Sequence, residues 1–206
     1  MFVGLRAERR ALIAAFMDDI RSFIATEIPS PLKTRMEEIQ RQLRGTDADV
    51  KWVRPEAIHL TLKFLGAIRQ EDVERISQAL SPVVADRESI DVRVQGLGCF
   101  PHARNPRVVW LGVDQGKEAL ASLQRSIEQK MAELSFPPED RPFSPHLTMG
   151  RVRSPRGRAG LSRALEKHQG VEIGTFQARE IILFRSELRP SGAVYTKLRE
   201  FPFQKR

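Results

Sequence analysis

The residues best suited to chemistry in this sequence stand in two short words, His59-Leu60-Thr61-Leu62 and His146-Leu147-Thr148-Met149. Each word sits in an apolar stretch that reads as a β-strand, where residues i and i+2 share a face. Each histidine therefore stands beside its threonine, while Leu60, Leu62 and Phe64, or Leu147 and Met149, point the other way. The apolar face packs, and the polar face is free to react. Two imidazoles on one cleft suit paired proton transfer: a neutral ring takes a proton from a nucleophile, and a charged one gives a proton to a leaving group. Imidazole titrates near neutrality, so both forms are accessible. The threonine hydroxyls can hold non-bridging phosphate oxygens or fix the rings. Lys63 falls on the alternating face of His59 and Thr61 and would supply charge there. No carboxylate or cysteine lies at metal-ligand spacing around either histidine, and the pattern differs from HExxH. The expected reaction is acid–base catalysis on a phosphodiester with no metal and no cofactor.

A basic run follows the second word. Arg151, Arg153, Arg156, Arg158 and Arg163 fall within thirteen residues that contain no acid. This run is the candidate RNA-binding edge, set against the plainer reading of a solvated loop. Strict alternation puts Arg151 off the His146 face, but Gly150 permits a bulge that would turn it back. Phe64 and Phe100 are available for base stacking, but Phe64 has core parity and is expected to pack there, and Tyr195 and Trp110 are expected to be structural. His102 and His168 read as solvated, with His102 near enough to line a cleft, and Cys99 as a small buried apolar residue.

Composition narrows the setting. With 206 residues and 41% hydrophobic side chains, the chain can build a core and is not disordered. No apolar run approaches the roughly 20 residues that span a bilayer. The stretch from Ala11 to Met17 is short and is followed by Asp18 and Asp19, unlike a secretory signal. A single cysteine excludes an internal disulfide, so a cytoplasmic address is expected. A net charge of +8 favours an anionic partner, nucleic acid first.

The elements that position the two words read as follows. Strands are expected over 21–28, 50–53, 58–65, 90–94, 107–113, 146–152, 173–178, 181–186 and 194–199. Helices are expected over 30–44, with Ser30 as N-cap and Gly45 as stop, and over 71–85, 117–134 and 161–167. Strand pairs recur between helices, which predicts an α+β domain with antiparallel sheets.

Five segments carry a family resemblance: IRSFIATEIP, WVRPEAIHLTLKFLG, GLGCFPHARNPRVVWLGV, RPFSPHLTMGR and LFRSELRPSGAVYTKL, together covering about Ile20 to Leu198. The chain resembles the two-histidine phosphoesterases, and among them the RNA 2',3'-cyclic phosphodiesterases, also called the 2'-5' RNA ligase family. The resemblance implies a bilobal, pseudo-twofold fold in which two antiparallel sheets line a central cleft and helices lie outside. It implies metal-free hydrolysis of a 2',3'-cyclic phosphate RNA end to a 2'-phosphate, with His59 as proton donor and His146 as proton acceptor. Thr61, Thr148 and Arg151 would hold the phosphate, and Lys63, Arg153, Arg156 and Arg158 the RNA. The substrate would be an RNA end, tRNA fragments included, met by a monomer without a membrane partner. The alternatives are reversible 2'-5' ligation and an RNA-end-binding module with little turnover. Residues 1–19 have no counterpart in the pattern and read as an N-terminal extension, with 20–206 as one bilobal domain.

Overall fold

Alternating burial along the chain produces strands close to where the sequence places them in the computed structural model, which describes residues 19–190 and 192–204. These are β1 (Ile20–Glu27), β2 (Val50–Trp52), β3 (His59–Ile68), β4 (Ile90–Phe100), β5 (Val108–Gln115), β6 (His146–Val152), β7 (Glu172–Ala178), β8 (Glu180–Arg189) and β9 (Gly192–Pro202). The helices are α1 (Ser30–Arg44), α2 (Asp72–Ala85), α3 (Lys117–Glu133) and α4 (Arg158–Lys167). The fold class is α+β as expected. The expected N-terminal extension falls almost wholly outside the described residues.

The strands run in the order β7-β4-β5-β6-β3-β1-β8-β9, with β2 added to β6, and every pairing is antiparallel. Four strands lie on each side of the β3–β6 junction, which is the pseudo-twofold relation between halves. The halves are joined more intimately than two separate sheets: β3 and β6 pair at Leu60 and Leu147, so the ladder runs through as a single sheet.

One apolar core unites the helices with the inner face. Leu60, Leu62, Leu147 and Met149 join Met36, Ile39 and Leu43 of α1, Ile76 and Leu80 of α2, and Leu123 and Ile127 of α3. These helical residues recur at three- and four-residue intervals, giving each helix one apolar stripe to bury. On the other side of the sheet a smaller cluster forms from Phe23, Ala25, Ile182 and Phe184, with Tyr195 packed against it.

Two local expectations change. Pro29, extended at φ −60°, caps α1 without any side-chain hydrogen bond, since a proline side chain carries no hydrogen-bonding atom. Ser30 is instead the first helical residue. β4 runs to Phe100, well past the expected end, taking in half of the turn-rich segment. Gly98 lets it pair with β5, since a Cβ there would meet the Trp110 ring at 2.4 Å. No helix among the described residues is long and apolar enough to cross a membrane.

Candidate active site

The two words occupy the central strands, and their register sets the site. With Leu60 opposite Leu147, antiparallel pairing puts His59 across from Thr148 and Thr61 across from His146. A bulge then follows each threonine. In β3, Ile24 pairs with Lys63 and Ala25 with Thr61, leaving Leu62 extra. In β6, Val109 pairs with Gly150 and Trp110 with Thr148, leaving Met149 extra. An extra residue reverses side-chain parity, so the sixth residue of each segment, Phe64 or Arg151, rejoins the face of its histidine.

The expected bulge at Gly150 is thus present, and it brings Arg151 to the cleft. A Cβ on Gly150 would meet Val50 Cγ1 at 2.7 Å, so glycine is also what allows β2 to lie so close. Buried Gln40 secures the bulge by donating to the carbonyls of Val53 and Met149 at 2.7 and 3.0 Å. The matching bulge at Leu62 overturns two expectations. Lys63 turns inward, 1% exposed, and donates to Glu128 at 2.8 Å and to the Pro137 carbonyl at 2.9 Å. It is a core residue and offers no surface to RNA. Phe64, assigned to the core by parity, is 56% exposed on the cleft wall.

A cleft of about 340 Å³ is lined by His59, Thr61, Phe64, Thr148, Arg151 and Tyr195, with Arg21, Lys51 and Arg54 at its margin. His146 stands on the face of Thr148 but does not line the enclosed part. The Nδ1 of His59 lies 2.8 Å from the Ala57 carbonyl, and that of His146 lies 2.7 Å from the Ser144 carbonyl. A carbonyl only accepts, so Nδ1 carries hydrogen in both rings. Each Nε2 is then the nitrogen available to exchange a proton.

The rings differ in their surroundings. His59 stacks on Phe23 at 4.5 Å and meets the edge of Tyr195 at 5.0 Å, while His146 has Phe100 edge-on at 5.1 Å. Burial in the aromatic cluster lowers the His59 pKa to about 4; its bond to Ala57 opposes this and the charge of Lys33 adds to it. Tyr195, expected to be purely structural, therefore shapes the site. Its contact with His59 depends on the β3-β1-β8-β9 order, which no local pattern reports.

The remaining expected residues stand apart from the cleft. Arg153 and Arg156 are exposed on the segment beyond β6. Arg158 is half-buried and donates to Asn105 at 2.8 Å, so it ties α4 to the loop before β5 and does not extend toward RNA. His102 is exposed and His168 caps α4. Cys99 packs against the core. Among the described residues, no three His, Cys, Asp or Glu side chains gather closely enough to hold a metal ion.

A family profile described as the 2'-5' RNA ligase superfamily matches residues 28–189. A curated protein of Methanothermobacter thermautotrophicus named RNA 2',3'-cyclic phosphodiesterase is 38% identical over 182 residues, 88% of this chain and 98% of its own. An Aquifex aeolicus protein of the same name is 30% identical, covering 92% of this chain and 97% of its own. Among solved structures, TT0787 of Thermus thermophilus superposes with a TM-score of 0.76 at 28% identity, over 91% of this chain and 100% of that one. Escherichia coli LigT gives 0.72 at 22% identity over 91% and 99%, a likeness of fold. The matched span contains both histidine words, and the chain belongs to the 2'-5' RNA ligase superfamily.

Proposed function

We propose that this protein opens the 2',3'-cyclic phosphate at the 3' end of RNA, leaving a 2'-phosphate, without a metal or cofactor. The observation that carries the reading is the pairing of Leu60 with Leu147, a register that brings His59 opposite Thr148 and His146 opposite Thr61, with His59, Thr61 and Thr148 lining the cleft; it supports two proton carriers acting beside two hydroxyl donors. The relatives named RNA 2',3'-cyclic phosphodiesterase support the substrate class.

In this reading the threonine hydroxyls and Arg151 bind the non-bridging phosphate oxygens. His146 Nε2 takes a proton from water as its oxygen attacks phosphorus, and His59 Nε2–H gives a proton to the departing 3'-oxygen. The P–O3' bond breaks, and one new P–O bond and one 3'-hydroxyl are formed. Each positioned proton transfer is worth roughly 10²–10⁴-fold. Burial leaves His59 a weak base and so, once charged, a strong acid for the alkoxide leaving group. The anionic phosphate is what loads it with a proton, since an opposite charge favours the charged imidazole. Phe64 offers an exposed ring to the terminal base, and stacking needs no particular base identity.

The test is an oligonucleotide ending in a 2',3'-cyclic phosphate, incubated in excess chelator and resolved by phosphorus NMR. A 2'-phosphate product is expected. Activity lost to chelator and regained with a divalent cation contradicts the metal-free reading, and a 3'-phosphate product contradicts the placement of acid and base.

A further inference from the structure

A second cavity, of about 260 Å³, lies on the flank of His59. It shares His59, Tyr195, Arg54, Ala57 and Ala193 with the catalytic cleft, so these residues form the partition between the two spaces. Its charge is arranged unequally. Lys197 is committed to Glu27 at 2.8 Å and to Glu200 at 2.6 Å. Lys33 and Arg54 instead donate to backbone carbonyls, those of Glu56 at 3.1 Å and Ala193 at 2.9 Å. Neither forms an ion pair among the described residues. A carbonyl fixes a cation in place without cancelling its charge, and with Glu27 occupied only Glu56 opposes the two on this wall.

We propose that this cavity receives the phosphodiester joining the terminal nucleotide to the one before it, with Lys33 and Arg54 as its contacts. The inference rests on the reading above, in which His59 serves the departing 3'-oxygen. On the ribose, C3' carries that oxygen and leads through C4' and C5' to the linking phosphate, whereas the 2'-oxygen, on the same face of the ring and bonded to the same phosphorus, stands one carbon farther from C4'. A sugar held with its 3'-oxygen at His59 therefore sends its 5' side past His59, toward this cavity. A nucleoside 2',3'-cyclic phosphate has no such group and leaves the cavity unused. The preferred substrate class is then RNA of two or more nucleotides.

The experiment compares kcat/KM for adenosine 2',3'-cyclic phosphate with that for an adenylyl dinucleotide bearing the same cyclic end, in native protein, Lys33→Ala and Lys33→Arg. Lys33 is a half-exposed residue of α1, so replacing it leaves the fold in place. The native protein prefers the dinucleotide. Lys33→Ala loses that preference by about tenfold, through KM, which is the scale of one charged hydrogen bond. Lys33→Arg retains it. An absence of preference in the native protein overturns the inference. Equal loss on both substrates in Lys33→Ala also overturns it, since Lys33 would then act through its charge on His59. If the native protein cleaves neither substrate, the parent reading falls and takes this subsite with it.

Discussion

Leu60 and Leu147 face each other at the backbone pairing between β3 and β6, and this one contact sets both histidines at once. Residues diagonal to each other across neighbouring antiparallel strands lie about 7–8 Å apart, somewhat less between their Cβ atoms, a gap that a phosphate group can fill. His59 and His146 stand in that diagonal relation. A threonine from the opposite strand stands across from each histidine, so in the proposed reaction each proton carrier would work beside a hydroxyl supplied by the other strand.

The pH behaviour of His59 follows from its burial. Its pKa in the folded protein is lowered to about 4, so above that value the free protein holds it neutral. Unfolding returns it to an ordinary imidazole, which binds protons at higher pH. Stability is therefore full above about 6.5 and falls as pH drops from there toward 4. NMR titration of the His59 ring is expected to give a midpoint near 4, moving upward when inorganic phosphate is added. A free midpoint near 6.5 that phosphate leaves unmoved contradicts this account.

Arg151 and the arginines beyond it are expected to separate. Arg151→Ala damages both cyclic mononucleotide and oligonucleotide turnover, because its side chain lines the cleft. Replacing the exposed Arg153 and Arg156 together weakens oligonucleotide binding alone. Each lost phosphate contact removes roughly 0.7 from the salt slope for a single strand. An unchanged slope makes this segment a solvated loop.

Lys63 is expected to act through stability. Lys63→Met leaves the Glu128 carboxylate partly buried without its cation, and breaking such a pair costs about 3–5 kcal/mol. The double variant with Glu128→Leu recovers most of the loss. Denaturant melts of the single and double variants measure this. A Lys63→Met protein of native stability that has lost RNA affinity restores the RNA-contact reading of this residue.

Phe64→Ala is expected to raise KM with little effect on stability, since the ring is more than half exposed. The loss should approach the roughly 1–3 kcal/mol of a base–aromatic stack. An unchanged KM for cyclic mononucleotides removes Phe64 from base binding.

Which of these residues the sequence could reveal depended on how far their positions were fixed by local chemistry. The histidine words are written in consecutive residues, and their strands and faces follow from period-two alternation, whereas the pairing of β3 with β6 is a long-range relation that alternation does not report. The bulge at Met149 was readable because Gly150 marks it. The bulge at Leu62 has no glycine beside it, so alternation carried Lys63 to the wrong face and Phe64 into the core. The equal offset of Phe64 and Arg151 from their histidines was the available signal. Gln40, Tyr195 and Arg54 reach the site only through long-range packing of α1, β9 and the segment after β2, which leaves no trace in local spacing.

The central claim is that two histidines share the proton transfers, and the most direct test is the hydrolysis rate of a 2',3'-cyclic nucleotide by His59→Ala, His146→Ala and the double variant, each checked for native folding by circular dichroism. Each single variant should lose at least about 10²-fold, with the double little worse than either. Near-native turnover in either single variant, with the fold intact, contradicts the two-histidine account.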